Sequence, residues 1–275
     1  MKQPVDVALA ATVRTLPDSG GWAYEPKFDG HRMVVIRGED VVLQARSGRN
    51  VTGAFPDLVA AARELPAGTV LDGEVVVWTD GRTDFAAVQH RASASATQAA
   101  ALAVSLPASY AAFDLLEEGG TDLRTRPYEL RREQLVALLT PLGPPLQPVP
   151  MTTAPATAAL WYDTLPATGI EGLVAKRLDQ PYRGGTRAWS KLRHSEPRDA
   201  VVVGHVGSAA RPSALLLVLP GDDDTPVQSS PLAPALRGQA GAALAAGELG
   251  ELAAEVEQGT TARHAGVTVM RLIRP

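Results

Sequence analysis

Cysteine is absent from this chain of 275 residues, and aromatic residues make up only 5% of it. Without cysteine there is no disulfide framework, no thiolate nucleophile and no zinc site built on cysteine sulfur. No apolar run approaches the roughly 20 residues that are needed to span a bilayer. The first 16 residues lack the basic start, apolar core and cleavage site of an export signal, so we expect a cytoplasmic protein.

Lysine is scarce as well. Only four of the 26 basic residues are lysines, namely Lys2, Lys27, Lys176 and Lys191, and the others are arginines. The abundance of Ala, Arg, Gly and Pro points to genome composition as a general cause. A lysine amine titrates and acts as a nucleophile, however, whereas a guanidinium effectively does neither. The three internal lysines are therefore candidates for chemistry that arginine does not perform.

The net charge of −4 argues against a basic coat that covers the whole protein and binds nucleic acid. It does not exclude a local basic cleft, because net charge says little about where the charges lie. Composition shifts near Glu196, and we predict a boundary there between a domain of residues 1–195 and a domain of residues 196–275. The first segment has 20 basic and 21 acidic residues, and the second has six basic and nine acidic residues.

Hydrophobic patterns predict strands and helices that mix without regular alternation. This arrangement favours an α+β fold with largely antiparallel sheets. Strands are predicted over residues 33–37, 41–45, 69–78, 109–116, 172–177, 189–193, 200–206, 214–219 and 267–273. Helices are predicted over residues 55–65, 84–103, 128–139 and 158–165.

Residues 25–32 (EPKFDGHR) precede the first predicted strand and contain the first internal lysine. Lys27 is a candidate nucleophile, provided that burial or nearby cations lower its pKa from about 10.4. Gly30 lets the backbone approach a ligand closely, and Arg32 is suited to hold a phosphate or a hydroxyl. The alternative is a loop with ordinary charges.

Asp72 and Glu74 interrupt an apolar strand and, by alternation, share one face of it. A buried carboxylate without a partner is costly, so a metal or a ligand hydroxyl would satisfy the two groups. The alternative is an edge strand that turns both carboxylates towards water.

Two later segments place charges around apolar strands. In residues 171–176, Glu171 is a candidate oxygen ligand for Mg2+, and Lys176 is suited to neutralise phosphate. In residues 189–193, alternation puts Trp189, Lys191 and Arg193 on one face, which places two cations beside an aromatic ring. The alternative for both segments is an edge strand with a solvated face.

Together and in this order, six segments resemble nucleotidyltransferase motifs I, Ia, III, IIIa, IV and V of the ATP-dependent DNA ligases, RNA ligases and mRNA capping enzymes. The segments are KFDGHR (27–32), ARSG (45–48), DGE (72–74), YAAFD (110–114), EGLVAK (171–176) and WSKLR (189–193). The resemblance covers roughly residues 15–210, and EGLVAK and DFAAVQHR (84–91) are most similar to the short bacterial end-joining ligases. It implies an ATP-grasp-like nucleotidyltransferase domain followed by a small OB-like β-barrel.

The resemblance implies a reaction through a covalent intermediate. Lys27 would attack the α-phosphate of ATP and form a lysyl-AMP phosphoramidate, while Lys176 and Lys191 would hold that phosphate as negative charge develops. The AMP would then pass to the 5′-phosphate at a nick, and the 3′-hydroxyl would attack and seal the strand.

The resemblance also assigns nucleotide contacts. Glu25 would contact adenine and Phe113 would stack on it. The ribose and the neighbouring phosphates would be held by Arg32, Arg46 and Glu74.

Mg2+ or Mn2+ is the implied metal, since such hard cations prefer carboxylate and phosphate oxygens. Its implied ligands are Asp29, Glu74 and Glu171. The cofactors that follow from the resemblance are therefore ATP and one of these divalent cations.

The carboxy-terminal segment departs from the family pattern. The last family motif resembles R-P-D-K, whose Arg and Lys act on pyrophosphate during self-adenylation, whereas this sequence ends at Arg274-Pro275. The segment is also acidic, whereas a surface that clamps DNA is usually basic. We therefore predict that a DNA-end-binding or repair protein assists binding to nicked or broken duplex DNA in the bacterial nucleoid.

Three functional interpretations remain open at the level of the sequence. A DNA ligase accounts for all six motifs, and an RNA ligase or another nucleotidyltransferase shares most of them. A catalytically impaired protein that binds nucleotides or DNA ends is favoured by the incomplete last motif. The retention of Lys27 opposes this third interpretation.

Overall fold

The computed structural model describes residues 3–221, 225–259 and 266–273 of the chain. The chain divides into two compact units, Met1–Arg193 and His194–Pro275. This division lies two residues before the boundary that we predict from composition. No helix among the described residues has the length and apolar character that crossing a membrane requires.

The first unit contains two β-sheets. Its strands are β1 (Ala10–Thr12), β2 (Trp22–Lys27), β3 (His31–Arg37), β4 (Val41–Ala45), β5 (Thr69–Thr79), β6 (Arg82–Thr83), β7 (Ala108–Glu118), β8 (Thr121–Asp122), β9 (Leu146–Pro148), β10 (Gly172–Arg177) and β11 (Trp189–Arg193). A four-stranded sheet has the order β1-β11-β10-β2. A seven-stranded sheet has the order β4-β3-β5-β7-β8, with β6 beside β5 and β9 beside β7. Among the described strands only the pairs β1–β11 and β7–β9 are parallel.

Five α-helices accompany these sheets. They are α1 (Pro56–Ala62), α2 (Phe85–Ser93), α3 (Ala96–Ser105), α4 (Tyr128–Leu139) and α5 (Pro155–Thr164). Leu58 and Leu135, on α1 and α4, pack with Met33 and Leu71 in the largest buried cluster, on one side of the seven-stranded sheet. A second cluster joins Val34 of that sheet to residues of the four-stranded sheet. The two sheets are therefore held face to face by apolar side chains.

The predicted helix over residues 84–103 is wrong in one respect, because it is two helices. Asp84 caps α2 by accepting a hydrogen bond from the backbone N–H of Ala87 at 2.9 Å. Ala94 is extended, and Ser95 starts α3 in a capping box with Gln98. A serine that bonds the backbone of a new first turn competes with continuation of the preceding helix.

Strand β2 was not predicted, although it carries two of the candidate site residues, Glu25 and Lys27. Its sequence mixes charged residues with Pro26 and has no simple alternation of apolar and polar residues. Proline is tolerated because β2 lies at the edge of the four-stranded sheet, where a strand pairs on one side only. Lys27, which the alternative interpretation places in a loop, therefore lies at the end of a strand.

The second unit contains β12 (Ser195–Ser208), β13 (Arg211–Val218), β14 (Val227–Gln228), α6 (Pro234–Ala245), β15 (Ala253–Gly259) and β16 (Val267–Ile273). Its strands form an antiparallel sheet of order β14-β13-β12-β15-β16. Ser229, directly after β14, forms a parallel bridge with Val267, the first residue of β16. The two edges of the sheet therefore meet at this point. Arg274, which resembles the start of the last family motif, lies outside the described residues.

Candidate active site

Three strands of the four-stranded sheet carry the internal lysines. Lys27 is the last residue of β2, Lys176 lies in β10 and Lys191 lies in β11. Gly172 of β10 is opposite Lys27 on one side and Arg193 on the other. Because side chains alternate along a strand, this register puts all three lysines on one face of the sheet.

Gly172 makes the close packing of these strands possible. Its φ of +149° lies in the region that favours glycine. A Cβ atom at this position would lie 2.0 Å from the carbonyl oxygen of Leu192. The backbone N–H of Glu171 donates to the carbonyl of Lys27 at 2.8 Å, so the chain brings the Glu171 side chain beside the lysine.

Glu171 lies between two cations. Lys27 Nζ is 2.5 Å from Glu171 Oε2, and Arg193 Nε pairs with Glu171 Oε1. The Glu171 side chain is 2% exposed, whereas that of Lys27 is 21% exposed and reaches solvent. We refer to Lys27, Glu171, Lys191 and Arg193 as the Glu171 cluster. It holds a solvent-accessible amine against a buried carboxylate.

Lys191 adds a titratable cation to the Glu171 cluster. Burial, followed by the positive charges of Arg193 and Lys27, lowers the pKa of Lys191 to about 8, and Glu171 partly offsets this effect. The exposed Arg46 also lowers that pKa, so its charge acts on the cluster. An excess of positive charge of this kind attracts an anion such as phosphate.

Lys176 lies deeper than the other two lysines and is 1% exposed. Its Nζ is 2.8 Å from Glu25 Oε2 and donates to the carbonyl of Phe113 at 2.7 Å. The ammonium is 4.8 Å from the ring centroids of Phe113 and Tyr128 and 4.4 Å from that of Trp189. The Tyr128 hydroxyl donates to Oε1 of Glu25. We call these five residues the Glu25 cluster.

Burial is the largest cause of the pKa shifts of Lys176 and Tyr128 in the Glu25 cluster. It lowers the pKa of Lys176, an effect that the charges of Glu25 and Asp114 oppose. Burial and Glu25 raise the pKa of Tyr128 well above its ordinary value. Asp114 is itself held by Arg131, which donates at 2.7 and 2.9 Å within the core.

Asp72 shows that the edge-strand interpretation of the DGE segment is wrong. Strand β5 lies between β3 and β7, and Asp72 is fully buried. Arg32 donates to its carboxylate at 3.0 and 2.6 Å, and the Tyr182 hydroxyl donates at 2.6 Å. The Arg32 guanidinium lies 5.0 Å from the Phe113 ring and 5.1 Å from the Trp189 ring. Arg32 and Tyr182 therefore supply hydrogen-bond donors to both oxygens of the buried Asp72.

The edge-strand alternative is also wrong for the EGLVAK and WSKLR segments. Strands β10 and β11 are the two inner strands of the four-stranded sheet. Each is paired on both sides, so their charged residues belong to an interior part of the sheet.

The three predicted metal ligands do not form a metal cage. Asp29 and Glu171 are buried, and Glu74 is half-buried. Within the described part of the chain, no group of three or more His, Asp or Glu residues is arranged to hold a metal ion. Mg2+ is commonly bound by one or two carboxylates together with substrate phosphates. The donor set therefore fits a divalent cation only in company with a bound nucleotide.

Sequence reasoning missed Tyr128 and Tyr182 as members of the site, and it missed Asp72 as the partner of Arg32. Tyr128 lies 103 residues from Glu25 in the chain, and Tyr182 lies in a polar loop that gives no periodic signal. One usable signal was the scarcity of aromatic residues. The chain has only five tyrosines, four tryptophans and four phenylalanines, so each is a candidate for a specific role.

The chain is similar to known DNA ligases. The family model of the ATP-dependent DNA ligase domain matches residues 5–193. DNA ligase C2 of Mycolicibacterium smegmatis is 40% identical over 225 residues, which are 80% of this chain and 63% of that protein. DNA ligase C of Mycobacterium tuberculosis is 38% identical over 208 residues, or 74% of this chain and 58% of that protein. The chain thus spans about three fifths of the length of these curated relatives.

Solved structures show the same fold. The ligase domain from M. tuberculosis LigD superposes with a TM-score of 0.59 at 24% identity, covering 97% of this chain and 95% of that domain. A Lig E DNA ligase, described as binding DNA with a minimal scaffold, gives a TM-score of 0.69 at 15% identity and covers 98% of this chain and 100% of its own. The fold is therefore the mixed α/β fold of ligase domains, with antiparallel sheets.

Proposed function

Because this chain belongs to the ATP-dependent DNA ligase domain family, we propose that it uses ATP to seal breaks in duplex DNA. The Glu171 cluster is the observation that carries this proposal. It lies within the matched residues and holds Lys27 beside a buried carboxylate, with Arg193 on the same carboxylate and Lys191 on the same face of the sheet. An accessible amine among cations suits attack on a phosphate.

In the first step, Lys27 Nζ attacks the α-phosphorus of ATP. An N–P bond forms, the P–O bond to the β-phosphate breaks, and pyrophosphate leaves with the bonding electron pair. Nζ must lose a proton for this step, and Glu171 Oε2, at 2.5 Å, is placed to accept it. Lys191 and Arg193 meet the negative charge that develops on the phosphate.

In the later steps, the AMP group moves to DNA. A 5′-phosphate oxygen attacks the phosphorus of lysyl-AMP, the N–P bond breaks, and Lys27 is regenerated. The 3′-hydroxyl then attacks the 5′-phosphorus, a phosphodiester bond forms and AMP leaves. Nicked duplex DNA is the acceptor that this sequence of steps requires.

The predicted nucleotide contacts stay part of the proposal. Glu25 and Phe113 belong to one buried cluster, which supports a shared role in holding adenine. Arg32 lies over the Phe113 ring, and the charge of Arg46 acts on the Glu171 cluster, which supports roles at the ribose and phosphates. Glu74 lies opposite Arg32 in the sheet.

Lys176 needs a movement to perform its predicted role at the α-phosphate. Its ammonium is paired with Glu25 at 2.8 Å and is enclosed by aromatic rings. To reach a phosphate on the Glu171 cluster, it has to leave that carboxylate. We therefore assign Lys176 to the phosphate only when nucleotide is bound.

We assign Mg2+ or Mn2+ to the site only together with the phosphates of ATP. Asp29, Glu74 and Glu171 are the carboxylates of this chain that would hold it. The cation would supply charge neutralisation at the phosphates.

The second unit fits an OB-like role in holding DNA. Its five strands pair in the order β14-β13-β12-β15-β16, the bridge of Ser229 to Val267 joins the two edges, and α6 lies between β14 and β15 in the chain. A small Greek-key barrel of five strands is the architecture of OB folds, which bind nucleic acids. Its acidic composition supports our prediction of a DNA-end-binding or repair partner.

Sealing of a labelled nicked duplex tests the proposed function. Wild-type protein is incubated with the duplex, ATP and either Mg2+ or Mn2+, and the strand length is read on a denaturing gel. Lys27→Arg is the matched control, since it keeps the charge beside Glu171 and removes the nucleophile. We expect sealing by the wild type and none by the variant.

Two results would contradict the proposal. Sealing of a nick in RNA but not in DNA would assign the chain to another nucleotidyl transfer reaction. Binding of the duplex without sealing, and without AMP on the protein, would support the interpretation of a non-catalytic end-binding protein.

A further inference from the structure

Tyr128 contributes to the site in a way that the six motifs do not describe. It is the first residue of α4 and is fully buried. Its hydroxyl donates to Oε1 of Glu25. The other oxygen, Oε2, lies 2.8 Å from Lys176 Nζ. Both oxygens of the Glu25 carboxylate are therefore held by donors.

The hydroxyl of Tyr128 acts only as a donor in this contact. An ionised carboxylate accepts hydrogen bonds and has no proton to give. Burial and the charge of Glu25 raise the pKa of Tyr128, so the hydroxyl keeps its proton. Loss of this donor would leave a buried carboxylate short of one hydrogen bond and less fixed in orientation.

A carboxylate held in this way discriminates between the groups that approach it. The two oxygens together have about four lone-pair sites, and Tyr128 uses one of them on Oε1, while Oε2 is open to a ligand once Lys176 moves to the phosphate. The remaining sites accept a donor such as an amine and repel a carbonyl oxygen. The rings of Phe113, Tyr128 and Trp189 surround the Lys176 ammonium, beside the same carboxylate.

We propose that Tyr128 is a positioning residue that fixes the Glu25 carboxylate as the acceptor for the exocyclic amine of adenine. Tyr128 thereby favours ATP over purine nucleotides that lack this amine. The inference rests on the proposed function, in which Glu25 faces the adenine of ATP.

The test compares ATP with purine riboside 5′-triphosphate, which carries hydrogen in place of the amine. Covalent nucleotide on the full-length protein is measured by intact mass over a range of nucleotide concentrations. Tyr128→Phe keeps the ring and removes the hydroxyl. We expect this variant to raise the half-saturating concentration of ATP about tenfold. The value for purine riboside triphosphate should change by less than about twofold, because that nucleotide makes no bond for Tyr128 to support.

Tyr24→Phe is the matched control. Tyr24, like Tyr128, is a buried tyrosine, but it lies in β2 and its hydroxyl donates to the carbonyl of Pro17 at 2.6 Å. By alternation it lies on the face of the strand opposite Glu25. Removal of this hydroxyl should leave the preference for ATP at the wild-type value.

The outcomes separate this inference from the proposed function. An equal loss of affinity for both nucleotides in Tyr128→Phe, or an unchanged preference, would overturn the inference while the wild-type adduct upholds the reaction. Absence of any adduct on the wild type would overturn both.

A second variant covers the case in which Tyr128→Phe does not fold, as judged by circular dichroism. Glu25→Gln, which offers an amide in place of the carboxylate, should then show the same loss of preference for ATP. Retention of the wild-type preference in Glu25→Gln would overturn the inference.

Discussion

The Glu25 cluster and the Glu171 cluster share one face of the four-stranded sheet through their strand residues, yet they differ in charge balance and in exposure. In the first, Lys176 is 1% exposed, faces one carboxylate and is enclosed by three rings. In the second, Lys27 is 21% exposed, and three cations share Glu171 as their nearby carboxylate. The balanced, enclosed cluster suits recognition of a neutral base. The cationic, accessible cluster suits a reacting phosphate.

The largest effect on stability should come from removing the positive charge of Lys176 from the Glu25 cluster. Lys176→Met removes the cation and leaves Glu25 buried without it. We expect the free energy of unfolding, measured in urea, to fall by about 3 kcal/mol, because a buried charge that loses its partner is strongly destabilising.

The double variant Lys176→Met/Glu25→Gln is the control for this prediction. With the charge of Glu25 also removed, it should be more stable than Lys176→Met. Two results would contradict this prediction: a loss of less than about 1 kcal/mol in the free energy of unfolding of Lys176→Met, or a double variant that is less stable than Lys176→Met. Either would show that Lys176 does not offset the cost of burying the charge of Glu25.

A smaller effect should follow from disturbing the strand packing that builds the Glu171 cluster. Gly172→Ala places a Cβ atom 2.0 Å from the carbonyl oxygen of Leu192, at a φ of +149°. We expect a loss of about 2 kcal/mol in the free energy of unfolding, since the strands have to separate and the backbone is strained.

Gly53→Ala is the control, because a Cβ atom there meets nothing within 4 Å and φ does not lie in the left-handed region. Thermal unfolding of the two variants should therefore differ clearly. Equal melting temperatures would contradict the packing account of Gly172.

The pH dependence of AMP transfer should show the titration of Lys191. Its pKa of about 8 means that the charge is lost as the pH rises through 8. Arg stays charged, so the ratio of the wild-type rate to that of Lys191→Arg should fall above pH 8. A ratio that is constant from pH 7 to pH 10 would show that this cation does not act on the phosphate.

The lowered pKa of Lys191 also determines how its contribution to stability changes with pH. The pKa of Lys191 in the folded protein is below its ordinary value of 10.5, so the unfolded chain binds more protons between pH 8 and 10.5. The contribution of Lys191 to stability therefore rises with pH across that window.

The smallest effect on stability should come from removing the charge of Arg177, the exposed neighbour of Lys176 on the same strand. Arg177 pairs with Asp179 at 2.9 Å, and both side chains are exposed. Arg177→Gln should leave the urea midpoint unchanged within error, because solvent and salt screen such pairs. A midpoint shift comparable to that of Lys176→Met would show that burial does not determine how much each of the two ion pairs contributes to stability.

The sequence predicted much of the fold because several of its strands are short apolar runs rich in β-branched residues. Strands β3, β4, β10 and β11 and helix α4 were predicted close to their observed bounds. Strand β2 was missed because charged residues and Pro26 interrupt its apolar residues. These residues are tolerated because β2 lies at the edge of the four-stranded sheet. The break at Ser95 was missed because a capping box is a local competition that composition does not reveal.

The candidate site was predictable where a motif is continuous in the chain and hidden where it is not. Lys27, Lys176 and Lys191 came from their rarity and from motif order. Tyr128 and Tyr182 reach Glu25 and Asp72 across 103 and 110 residues, and only the fold brings these pairs together. The roles assigned to all of these site residues, and to Asp29 and Glu74, stay predictions.

The central claim is that Lys27 is the nucleophile that accepts AMP from ATP. Locating the AMP group on the protein tests this claim most directly. Wild-type protein is incubated with ATP and Mn2+ or Mg2+, cleaved after arginine at neutral pH, and analysed by tandem mass spectrometry. The peptide of residues 15–32 contains Lys27 as its only lysine. We expect this peptide to gain one AMP that is labile to acid and stable to base. AMP on the peptide of Lys176 or Lys191, or on no peptide, would contradict the assignment of Lys27 as the nucleophile.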